Sequence, residues 1–140
     1  MLLSAFHRPL RIATALLLLA GVALAAFGSA ASLTHHSPAR AAGFLIVAVA
    51  LASVAVLVLR GYRWIIAITT VALGGQSIAV AATIWELIHG IDPIKSRQLH
   101  DLGVTPTTGV AINLIYSSTA VLLFTWFALR YYRIRTNAWR

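Results

Sequence analysis

Residues Trp64–Ile88 read WIIAITTVALGGQSIAVAATIWELI. Between Arg63 and Glu86 there is no charged side chain and no proline. A helix needs about 20 apolar residues to cross roughly 30 Å of hydrocarbon. Trp64 and Trp85 would lie about 31 Å apart along such a helix. That spacing puts one tryptophan at each membrane interface, where aromatic belts form. The stretch therefore reads as a transmembrane helix.

Three further blocks have the same character, over about residues 10–33, 41–59 and 107–129. The chain is 60% hydrophobic and 10% charged, against about 25% charged for an ordinary soluble domain. Pro9, Pro38, Pro93 and Pro106 all fall between the blocks. Proline breaks a helix interior but suits the first turn. The expected fold is all-α, a four-transmembrane-helix bundle forming one domain over residues 1–140, with an outer loop over about 89–106. Residues 130–140 are expected to form a tail, frayed over its last seven positions.

The net charge of +8 is unevenly placed. Arg8, Arg11, Arg60, Arg63, Arg130, Arg133, Arg135 and Arg140 share one side of a four-span chain. Arg40, Lys95 and Arg97 share the other, with all three acids, Glu86, Asp92 and Asp101. The positive-inside rule then predicts both termini in the cytoplasm, N-in and C-in. No basic stripe with interleaved aromatics stands outside the spans, which argues against nucleic acid as a partner. The N-terminal run, ending in small residues near GSAAS, resembles a signal peptide. Its apolar stretch is longer than such peptides use, so a retained anchor is expected. The alanine content hints at a bacterial gene, hence a multi-pass protein of the cell inner membrane. There is no cysteine, which excludes disulfides and thiolate chemistry.

The helix faces carry more. Thr14, Gly21, Ala25, Gly28 and Ser32 recur at three, four and seven residues, a seam that lets membrane helices approach closely. Ala41, Ala48, Ala52 and Ala55 give the second span a small face. The turn Arg60-Gly61-Tyr62-Arg63 is so short that spans two and three are expected to be antiparallel neighbours. In span three, Thr69, Ala72, Gln76, Ala79, Thr83 and Glu86 line one stripe. Gln76 falls near mid-bilayer, where an amide needs a partner. In span four, Gly109, Asn113, Ser117 and Ala120 share a face, so Asn113 is placed to meet Thr83 or Gln76. Tyr116 and Thr119 are expected to extend this polar patch. Two readings follow: interhelical glue, or a polar path lined by Thr69, Gln76, Thr83, Asn113 and Tyr116.

In the outer loop Asp92 is a good N-cap, Pro93 fits the first helical position and Gly103 fits the C′ position. A short surface helix is expected between them, with Thr105 or Thr107 capping the last span. The outer-face candidates are Glu86, His89, His100 and Asp101, with His35 and His36 across from them. Glu86 and His89 have the ExxH spacing of di-iron bundles, but in one copy, a weak metal signal. The competing reading pairs Glu86 with His89, Lys95 or Arg97. No Ser-His-Asp set, phosphate loop or mid-span histidine is present. An ion-coupled transporter would bury an acid near mid-bilayer, and Glu86 lies about 15 Å from Gln76. The expectation is a protein that is not an enzyme and holds no cofactor. It would be an accessory or scaffolding subunit packing against other membrane subunits or itself. The alternatives are a homo-oligomeric channel or transporter for a small solute, and an outer-face metal-binding protein.

Overall fold

The computed structural model describes residues 1–140 as six helices: α1 (Leu2–Ala5), α2 (Arg8–Thr34), α3 (Pro38–Arg60), α4 (Arg63–His89), α5 (Pro93–Asp101) and α6 (Pro106–Asn137). Four of them, α2, α3, α4 and α6, are long and apolar enough to cross a membrane. Each block read from the sequence is therefore a helix, with its proline in the first turn for α2, α3, α5 and α6.

The helix ends follow local chemistry. Asp92 accepts the Ile94 backbone N–H at 2.9 Å to start α5, and Thr105 accepts that of Thr108 at 3.3 Å to start α6. At the far end of α5, Gly103 takes φ +72°, and the Val104 N–H reaches the Leu99 carbonyl at 2.9 Å. This is a Schellman closure, for which glycine carries no steric cost. The α2–α3 turn closes the same way, with the Ser37 N–H on the Ser32 carbonyl at 2.9 Å. There the left-handed residue is His36, at φ +56°.

The long helices pack as two pairs. α2 lies along α3, and α4 lies along α6; contacts between the pairs are sparser. All five residues of the α2 seam are buried, and so are Ala41, Ala48 and Ala55 of α3. The seam is tight: a Cβ on Gly28 would stand 2.8 Å from the Phe44 ring. The expected close pairing of spans two and three is not found, because α3 and α4 share few contacts. The short turn brings only their ends together, and α3 turns its small face to α2.

The two pairs are joined at the end where α2 starts, α3 turns into α4 and α6 finishes. There α1 folds back and buries Phe6 completely, with Leu10, Val58, Ile66 and Phe127 around it. The Phe6 and Phe127 rings lie 5.7 Å apart. Tyr131 and Ile134 pack against the same cluster. This cover explains why α6 runs on to Asn137, past the expected end of its span and through most of the stretch read as a frayed tail. The eight arginines of the uneven charge distribution all lie at this end, and the three acids lie at the opposite end.

Candidate functional site

The polar residues of α4 and α6 meet along the face where those helices pack. Asn113 donates its Nδ2 to Thr83 Oγ1 at 2.9 Å. Thr83 in turn donates to its own helix, at the Ala79 carbonyl, 2.7 Å away. Ser117, one turn along α6 from Asn113 and fully buried, donates to Gln76 Oε1 at 3.1 Å. Thr69 continues the face toward the arginine end, where its buried Oγ1 has no partner. Thr69, Gln76, Thr83 and Asn113 thus fall on one α4–α6 seam.

The sequence places Ser117 on the same face as Asn113, and the structure makes it the partner of Gln76. The signal was its position one turn further along α6 on the same face as Asn113, as Gln76 lies further along the face of Thr83 on the antiparallel α4. Tyr116 and Thr119 do not extend the seam. Tyr116 lies about 60° around α6 from Asn113 and Thr119 about 120° in the same sense. That rotation turns both toward α2. They line an apolar groove of about 700 Å³ between α2 and α6, with Ala13, Ala20 and Ala23 on its far wall. A Cβ on Gly21 would meet the Tyr116 hydroxyl at 2.7 Å. Ala72, expected on the α4 stripe, is exposed.

At the opposite end from the arginines, the four outer-face candidates separate. Glu86 is held by Lys95 of α5, with Nζ 2.7 Å from Oε2 and 3.0 Å from Oε1. His89 lies flat on Trp85, ring centroids 3.8 Å apart, with Nδ1 3.2 Å from the Trp85 carbonyl. The two members of the ExxH pair therefore turn to different partners. His100 and Asp101 rim a separate shallow depression with Ser96 and Arg97. No three histidine, aspartate or glutamate side chains gather where a metal ion could be held. His36 supplies the left-handed turn after α2, and His35 ends that helix. The Lys95–Glu86 bond has a structural consequence: it ties α5 back to α4, while Leu99 packs α5 onto Gly109 of α6.

No protein family, curated protein or solved structure matches this chain.

Proposed function

We propose that this chain is a non-enzymatic accessory or scaffolding subunit of a larger complex in the cell membrane, with both termini in the cytoplasm. The observation that carries the reading is the closure of the polar seam within one chain. Thr83–Asn113 and Gln76–Ser117 spend their hydrogen bonds holding α4 to α6. In hydrocarbon such bonds stabilise a helix pair by roughly 0.6–2 kcal/mol each. The seam is then glue, and the chain's outward chemistry is apolar packing.

The α2–α6 groove supports the same reading. It follows α2 from Ala13 to Leu24, about 17 Å of helix, and its α2 wall is rich in alanine. Small side chains are what a neighbouring transmembrane helix needs for close approach. The occupant that suits it is an apolar helix of a partner subunit. The orientation draws on the arginine distribution: eight arginines and no acid at one end match a cytoplasmic face. The short helix α5, tied down by Lys95 and Leu99, would then lie at the outer surface.

Purification in mild detergent at native expression, followed by native mass spectrometry, tests the proposal. A stoichiometric larger partner, lost when Ala20→Trp fills the groove, supports it. A second reading, a homo-oligomeric channel or transporter, draws on one observation: Gln76 is only half-buried and its amide NH2 makes no hydrogen bond. Recovery of a homo-oligomer alone, with solute flux abolished by Gln76→Leu, would favour that reading.

A further inference from the structure

We infer that α6 carries a binding site for one anionic phospholipid along the outward side of its last turns. Trp126, Leu129, Arg130, Arg133, Ile134 and Asn137 line a notch of about 250 Å³. Read along the helix, Trp126 and Leu129 come first, then the two guanidinium groups, then the Asn137 amide; Ile134, between Arg133 and Asn137, packs inward against the core cluster. The span from Trp126 to Asn137 is about 17 Å. That order fits the upper acyl chain, the phosphate and the polar headgroup of a phospholipid lying against the helix.

The apolar end of the notch continues the lipid-facing side of the span. Trp126 and Leu129 are exposed, as is Leu122 one turn before them. The Trp126 ring is held in place by His7, which stands edge-on to it at 5.3 Å between centroids. The cationic part is unspent. Arg130 uses only its Nε, donating to the Ser4 carbonyl at 3.4 Å, and its terminal nitrogens have no protein partner. Arg133 pairs with no acid, since the one ion pair in the molecule is Lys95–Glu86 at the opposite end. No aspartate or glutamate lies at this end to compete for either guanidinium. Arginines three residues apart on one helical face are neighbours, and paired guanidinium groups recognise phosphate through forked hydrogen bonds. A soluble anion would use the arginines but not the apolar half of the notch, so the occupant is a lipid.

The test uses the full chain, delipidated and titrated with phosphatidylglycerol or with phosphatidylcholine of the same acyl chains, and read by native mass spectrometry. The wild type should retain one phosphatidylglycerol with a preference of about tenfold or more over phosphatidylcholine, the scale expected of two arginines near a lipid surface. Arg130→Gln with Arg133→Gln should remove that preference. Arg135→Gln with Arg140→Gln takes away the same charge from the same end and should leave it intact. Equal retention of the two lipids by the wild type would overturn the site. So would an equal loss in the two double variants, which would reduce the effect to net charge. Displacement of the lipid by inorganic phosphate alone would also overturn it, because the acyl contacts would then contribute nothing.

Discussion

The two helix pairs of this bundle are built on different chemistry. α2 and α3 meet through Gly21, Ala25 and Gly28 on one side and Ala41, Ala48 and Ala55 on the other, all buried. The one side-chain hydrogen bond between them is at their loop end, from Ser29 Oγ to the Ala41 carbonyl at 3.0 Å. α4 and α6 are cross-linked by amides and hydroxyls, Gln76 with Ser117 near mid-span and Asn113 with Thr83 nearer the α5 end. Lipid tails are as apolar as the helices they surround, so a membrane bundle gains little from hydrophobic burial between spans. It can gain from close packing or from hydrogen bonds, and this chain uses one in each pair. The packed pair is therefore expected to be sensitive to added volume, and the bonded pair to be less sensitive to the loss of one polar contact.

The contrast can be broken most severely where the two pairs are joined. Phe6 is fully enclosed between them. We predict that Phe6→Ala costs about 3–5 kcal/mol in reversible unfolding in detergent. Proteolysis of residues 130–137 should rise with it, because α1 covers the end of α6. The next effect belongs to the packed pair. Gly28→Val drives a methyl-bearing carbon into Phe44 and should cost about 1–3 kcal/mol. Gly75→Val, at an exposed glycine of α4 with nothing within 4 Å, is the control for the substitution outside any interface and should cost far less. The smallest effect is the hydrogen bond itself. A double-mutant cycle on Thr83→Ala and Asn113→Ala should give a coupling near 0.6 kcal/mol, and at most about 1.7. A coupling larger than the Gly28→Val penalty would reverse the contrast.

Much of the bonded pair was legible in the sequence. Polar residues inside a span are few, so Gln76, Thr83 and Asn113 stand out, and helical periodicity alone puts them on facing stripes. The caps at Asp92 and Thr105 and the Gly103 turn were legible for the same local reason. The packed seam was legible as a repeat of small residues, though not its partner. Which helix covers which depends on side-chain volumes across the whole bundle, and the short Gly61–Tyr62 turn pointed to α3 with α4 rather than α2 with α3. Tyr116 and Thr119 are polar and close in sequence to the seam, but closeness in sequence does not put a helical residue on a given face. Their phase on α6 already turned them toward α2. The enclosure of Phe6 left no sequence signal: a four-residue helix has no periodicity to read, and its burial is tertiary. At the outer end the Glu86–Lys95 pairing was legible as one of the alternatives, whereas the stacking of His89 on Trp85, one turn back, was not.

The account stands on the polar seam being closed against water. The chain has no cysteine, so single-cysteine variants need no background removed. The most direct measurement is the rate at which a charged, membrane-impermeant thiol reagent modifies the Gln76→Cys variant in sealed vesicles, compared with the Ser96→Cys variant on α5. We predict rapid modification at position 96 from one side and none at position 76 from either side. Modification at position 76 at a rate comparable to position 96 would show water at mid-span. The seam would then be a path, and the channel reading would replace the accessory-subunit reading.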